Sequence, residues 1–227
     1  MGIILELMDT NLKSYLQAFT DSTNSTLLTV DAGIKLASDI CTACVYLENN
    51  KFVHRDIAAR NCLVKSVRPD VVVKIGDFGM ARRTSVSEYY KKEGTAMLPV
   101  RWLPPEALSG VFTSKSDVWA FGVLVWEIFT GGCLPYPGMS ISEVFIVIKQ
   151  GGNMAAYRPT KCPDDVWRIL TKCWSYNSEE RPSFTELETI LKQRGRGLPS
   201  LHTQGNDKNA LITQSYLEEE SECLLCQ

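Results

Sequence analysis

His54-Arg55-Asp56-Ile57-Ala58-Ala59-Arg60-Asn61, followed downstream by Asp77-Phe78-Gly79, is the stretch on which the reading of this chain turns. Between the two lie short β-type runs, Cys62-Leu63-Val64 and Val71-Val72-Val73-Lys74-Ile75. The turn chemistry of Arg68-Pro69-Asp70 between them predicts a hairpin. A hairpin returns the chain to where it started, so Asp56, Asn61 and Asp77 are expected to converge on one spot. Phosphoryl transfer needs such a grouping: one carboxylate for a hydroxyl proton, and a carboxylate and an amide oxygen for Mg²⁺. Either motif alone is weak. Their order, with a strand pair between them and Pro104-Pro105-Glu106 downstream, is specific.

Upstream, Leu36, Ile40, Ala43 and Leu47 recur at helical spacing, which predicts an amphipathic helix over 30–49. Downstream, residues 76–110 are irregular, rich in glycine, proline and charge, and a loop of that length in a compact domain is usually functional. Residues 114–129 are apolar nearly all round, the pattern of a helix in the middle of a core. Gly131-Gly132 and Pro135-Tyr136-Pro137-Gly138 stop it. Further helices are expected over 142–149, 163–174 and 183–193. From Arg194 the chain turns polar and then acidic at Glu218 to Glu222, so 194–227 reads as a flexible tail after a domain of residues 1–193.

The bulk composition is that of a soluble globular protein, with 227 residues, 44% hydrophobic and 22% charged. A formal net charge of -2 gives no support to nucleic-acid binding. The longest apolar run, Val118 to Trp126, falls far short of the roughly 18 residues of a membrane span, and the first residues do not read as a signal peptide. Cys41 and Cys44 form one C-x-x-C and Cys223 and Cys226 another. Neither has a second pair or a histidine nearby, so reduced thiols are expected in place of a structural zinc.

These segments together resemble the C-terminal lobe of a receptor-type protein tyrosine kinase, over residues 1 to about 193. Within that family the likeness is to the anaplastic lymphoma kinase and leukocyte tyrosine kinase receptors. It is carried by Ile4-Leu5-Glu6-Leu7-Met8, by 54–61, by Ile75-Gly76-Asp77-Phe78-Gly79-Met80-Ala81-Arg82 and by Ala96-Met97-Leu98-Pro99-Val100-Arg101-Trp102. The stretch Gln150-Gly151-Gly152-Asn153-Met154 is also similar. The implied fold is protein-kinase-like, α+β overall, with this chain forming the mainly α-helical C-lobe, a small β-hairpin at its edge and no N-lobe.

The resemblance also assigns roles. ATP and Mg²⁺ are the implied cofactors, with Asp56 as base and Asn61 and Asp77 holding the metal on the phosphates. Ala58 stands where Ser/Thr kinases usually place a lysine, which implies tyrosine specificity and makes Arg60 the cation near the reacting groups. Pro99, Val100, Arg101 and Trp102 resemble the segment that supports a tyrosine substrate. Leu5 looks like the guard of the adenine pocket, Glu6 and Met8 supply backbone to the adenine edge, and Leu63 packs beneath the ring. Among structural residues, Glu106 and Arg181 resemble a buried ion pair, and Asp117 the residue that hydrogen-bonds the His54-Arg55 backbone. Phe78 and Gly79 complete the Asp77 motif, while Trp119, Trp126 and Trp174 read as core.

Tyr89 and Tyr90 lie between Asp77 and Glu106, where kinases carry activating phosphorylation sites. Phosphate there pairs with cations such as Arg55 or Arg82. Ser85 stands where the receptor relatives have a further loop tyrosine, and Tyr216 reads as a solvated tail residue. The implied partners are tyrosine-containing protein substrates and phosphotyrosine-binding adaptors, with dimerisation of a full receptor placed on the cytoplasmic side of the plasma membrane. Only four residues precede Leu5, so no Gly-rich loop, strand lysine or helix glutamate is expected here. Two classes follow: an active kinase's catalytic portion, inactive by itself, or a truncated docking and regulatory module.

Overall fold

The computed structural model describes residues 6–20, 28–67, 70–83 and 98–195. The helix expected over 30–49 forms over those residues, as α2 (Val30–Asn49), after the short strand β1 (Thr10–Asn11) and α1 (Leu12–Thr20). Thr29 caps α2, its hydroxyl accepting the Ala32 N–H at 3.2 Å. Its buried side chains, Ile34, Ala37, Ile40, Cys41, Cys44 and Leu47 among them, recur every three or four residues, so one stripe faces the core. Burial pushes the Cys41 and Cys44 thiols up, and both remain uncharged packing groups. Cys223 and Cys226 lie outside the described residues.

The hairpin forms as β3 (Cys62–Val67) and β4 (Asp70–Ile75), paired from Cys62↔Ile75 to Val67↔Asp70. It is not alone. β1 adds to β3 in a three-stranded antiparallel sheet of order β1-β3-β4, and β2 (Phe52–Val53) pairs with β5 (Arg82–Arg83) in a second ribbon. Strands of two residues carry no readable alternation, which is why the sequence showed the hairpin and not its neighbours. The irregular stretch likewise contains β5, a 3-10 turn at Phe78–Met80, another at Val100–Trp102 and the short helix α3 (Pro105–Leu108).

The apolar helix is α4 (Ser114–Thr130), buried continuously from Ser116 to Ile128. Thr113 and Ser116 form a capping box at its start, and Gly131 ends it at φ 73°, a conformation that costs glycine nothing. Packed around it are α5 (Ile141–Lys149), α6 (Asp164–Cys173) and α7 (Phe184–Gly195). Contact with α6 is close at Gly122, where a Cβ would come 2.7 Å from Trp174 Nε1. Helix α7 runs past the expected end at Gln193, and Arg194 pairs with Asp165 at 2.6 Å. Among the described residues no helix is long and apolar enough to cross a membrane.

Candidate active site

The loop from β2 to β3 is fixed from below by one buried carboxylate. Asp117, in the first turn of α4 and 3% exposed, accepts the His54 N–H at 2.6 Å and the Arg55 N–H at 2.9 Å. Two backbone donors on one carboxylate hold Arg55 at φ 72°, in a region a non-glycine residue rarely enters. The loop then turns back, leaving the Asp56 side chain part-buried.

His54 joins this loop to the Asp77 segment. Its Nε2 bonds the Gly76 carbonyl at 2.9 Å, and its ring meets Phe78 edge-on at 4.9 Å. Burial holds its pKa below the usual value, so the ring is neutral and donates to that carbonyl. From the other side, the Gly76 N–H donates to the Asn61 carbonyl at 2.8 Å. Asn61 in turn donates its side-chain N–H to the Asp56 carbonyl at 2.8 Å. Asp56, Asn61 and Gly76-Asp77 are therefore linked by short bonds into one cluster.

The donor chemistry of the cluster suits a hard cation. Asn61 spends its amide N–H on the loop, which turns its Oδ1 to the opposite side. Asp77 sits at φ 53° and accepts the Gly79 N–H at 3.1 Å with one oxygen. An amide oxygen and a carboxylate are ligand types that Mg²⁺ takes.

Arg60 lies beside Asp56, its guanidinium bonding that carboxylate at 2.5 Å and stacking over the Trp102 ring at 4.2 Å. Arg101 does something different from its neighbours in the same 3-10 turn. It is buried and donates to the carbonyls of Pro135, Tyr136 and Met139 at 2.8, 3.2 and 2.6 Å. It ties the segment Pro99–Trp102 to the loop before α5. Arg82 donates to its own loop, to Ala81 and Gly79 carbonyls. Glu6, exposed, is held by Lys65 and Lys74 from the hairpin, which keep its carboxyl below the usual range. Met8 is half-buried, and Leu63 stands in β3 opposite Asn11. Glu106 and Arg181 pair through two bonds, at 2.6 and 2.9 Å. Leu5, Tyr89, Tyr90 and Tyr216 lie outside the described residues.

One site residue escaped the sequence reading. Glu127, in the second half of α4 and 1% exposed, directs one oxygen at the Ala59 N–H (3.0 Å) and the Trp102 indole N–H (2.9 Å). The signal was there: a lone carboxylate between Trp126 and Ile128 in a run otherwise read as apolar. A buried charge without partners is too costly to keep, so such a residue has a job.

Burial pushes the Glu127 carboxyl up to about 7, against the pull of its two N–H donors and of Arg60. The unfolded chain titrates this group near 4.5, so between there and about 7 the folded state holds the extra proton. Its contribution to stability is complete below 4.5 and is lost as pH rises through about 7. Glu127→Gln mimics the protonated acid. Denaturant unfolding at pH 5 and pH 8 is expected to show the Gln variant gaining about 1–3 kcal/mol on the wild type. An advantage that does not grow with pH would show that the carboxyl is already ionised at pH 5.

Residues 1–191 match the model of a family described as protein tyrosine and serine/threonine kinase. The tyrosine-protein kinase transforming protein ros of UR2 avian sarcoma virus is 48% identical over 197 residues, covering 84% of this chain and 48% of that protein. The proto-oncogene tyrosine-protein kinase ROS of Homo sapiens is 42% identical over 230 residues, covering 98% of this chain and 10% of the relative. The leukocyte tyrosine kinase receptor of Mus musculus is 49% identical over 185 residues, or 80% of this chain and 21% of the relative. The chain thus spans half or less of the length of these curated relatives. The sequence reading named the leukocyte tyrosine kinase receptor and did not name ROS, which matches at similar identity.

Proposed function

The chain belongs to the protein tyrosine and serine/threonine kinase family, and from that premise we propose that residues 1–193 form the hinge and C-lobe portion of a receptor-type tyrosine kinase. Its chemistry is transfer of the γ-phosphoryl group of Mg-ATP to a tyrosine hydroxyl. The observation that carries this reading is the convergence of Asp56, Asn61 and Asp77 through His54, Gly76 and the Asn61 amide. Tyrosine as acceptor is favoured by Ala58 in place of a lysine, and by the Arg60–Trp102 stack beside the base, which leaves a flat aromatic surface at the edge of the site. The relatives of high identity are named as tyrosine kinases.

In the proposed mechanism Asp56 accepts the proton of the incoming hydroxyl and holds that oxygen toward the phosphorus. Arg60 fixes the Asp56 carboxylate and offsets negative charge building beside it. Asn61 and Asp77 would hold Mg²⁺, which when bound neutralises phosphate charge. The backbone around Glu6 and Met8 would meet the adenine edge, with Leu63 under the ring. Phosphorylation of Tyr89 and Tyr90 and recruitment of phosphotyrosine-binding adaptors by a dimeric receptor belong to the same reading.

The 227 residues contain no Gly-x-Gly-x-x-Gly loop. Taken by themselves they lack a phosphate clamp, and no phosphoryl transfer is expected from them alone. That feature favours the second reading, a docking or regulatory module that uses the same lobe without turnover. The test replaces the matched segment of the viral ros kinase by this chain and assays Mg-ATP-dependent phosphorylation of a tyrosine peptide. Activity of the chimera supports the kinase reading. A folded, silent chimera refutes it and leaves the docking module.

A further inference from the structure

Glu127 reaches two parts of the site with a single oxygen. The Ala59 N–H belongs to the 3-10 turn that carries Arg60 and Asn61, and the Trp102 indole belongs to the platform beyond it. Arg60 lies over the face of that same indole and grips Asp56. The path from the core is therefore short. Helix α4 holds Glu127, Glu127 sets the turn and the plane of the indole, the indole carries the guanidinium, and the guanidinium orients the base.

Resting on the kinase reading above, we propose that Glu127 is a positioning residue for phosphoryl transfer, placing Arg60 and through it Asp56. Two features separate this from packing alone. A side chain kept only to fill the core would be apolar at this depth, because an ionisable group there raises a desolvation cost that Leu or Met would not. And the bonds converge on one oxygen from two separate chain segments, so the carboxylate couples the catalytic turn to the substrate platform. Asp117 does the equivalent for His54 and Arg55, which places the two halves of the loop on two carboxylates of one helix.

The sequence of losses is predictable. Without Glu127 the indole is free to rotate and the Ala59 N–H loses its acceptor. Arg60 then loses the face it rests on, and Asp56 its fixed geometry. A displacement of about 1 Å at the base costs on the order of 100-fold in rate. Of the proposed nucleotide contacts only Asn61 shares the turn, so kcat is expected to carry most of the loss and KM for ATP to change little.

The experiment has two arms. In the 227-residue chain, hydrogen exchange of the Ala59 amide and the Trp102 indole is followed by NMR in the wild type, Glu127→Leu and Glu127→Gln. Both protons are expected to exchange at least about tenfold faster in the Leu variant. In the chimera, kcat and both KM values are measured for the same variants. Glu127→Leu is expected to lose on the order of 100-fold in kcat, and Glu127→Gln, whose amide oxygen can accept both donors, to recover most of it. If Glu127→Leu does not fold, Trp102→Phe keeps a ring under Arg60, removes the indole donor and is expected to lower kcat about tenfold. Unchanged kcat in the folded Leu or Phe variant overturns the proposal, as does a loss of rate that merely follows thermal stability across the series. In both cases the kinase reading stands, because the wild-type chimera is active. A silent wild-type chimera defeats that reading and the proposal with it.

Discussion

Asp56→Asn in the active chimera is expected to lower kcat by about 10²–10⁴-fold, the range general-base removal produces. Asparagine has nearly the same shape, so the bond from Arg60 survives in weakened form, and the Asn61 amide still finds the residue-56 carbonyl. What disappears is the group that can take a proton and carry negative charge. Folding should be little changed, because Asp117 and Glu127 fix the loop through backbone donors and the side-chain bond from Arg60 survives in weakened form. Nucleotide KM should also hold, since the proposed role sets Asp56 against the hydroxyl and not the phosphates. Steady-state kinetics with circular dichroism on both proteins reads all three quantities. A rate within tenfold of wild type would move the base elsewhere, and a lost dichroism signal would instead make Asp56 structural.

The parts of this arrangement that could be read from sequence are those with long patterns. Helix α2 shows its stripe over twenty residues and α4 its apolar run, so both appear where expected. The hairpin follows from two β-type runs around a proline turn. The short strands β1, β2 and β5 have two residues each, below the length at which alternation means anything. Helix α1 was likewise not anticipated. Motif residues were legible by type and order, but not their partners. Nothing in the string says that Arg101 turns into the loop at Pro135–Met139, or that Trp102 meets both Glu127 and Arg60. Those contacts depend on tertiary approach between segments far apart in the chain. Glu127 shows the limit most clearly. Periodicity treats it as one polar residue in an apolar helix, and only the geometry shows two donors aimed at it.

Arg181 supplies the largest stability effect expected of a single side chain here. Its side chain is fully buried, and its guanidinium spends donors on both oxygens of Glu106 and on the Lys115 and Ser175 carbonyls, with the Trp119 ring beneath. These groups belong to α3, to the start of α4 and to the turn before α7, so one cation joins three segments. From the sequence, only the resemblance implied that the pair is buried. Burial decides the magnitude, because an exposed pair contributes little whereas breaking a buried one leaves a charge without a partner. Arg181→Met fills most of the volume but leaves Glu106 with only the Ser116 hydroxyl and the Ser175 and Tyr176 carbonyls without the guanidinium, at a cost of about 3–5 kcal/mol. For a domain of this size that lowers Tm by on the order of 10 °C. Adding Glu106→Leu removes the weakly matched carboxylate and should restore part of the loss, but not all, since the Ser175 and Tyr176 carbonyls still lack the guanidinium. Calorimetry of the wild type, the single and the double variant separates the two contributions. A single variant that melts within about 3 °C of the wild type would show that the pair is worth no more than an exposed one. A double variant no more stable than the single would place the cost in the carbonyls and not in Glu106.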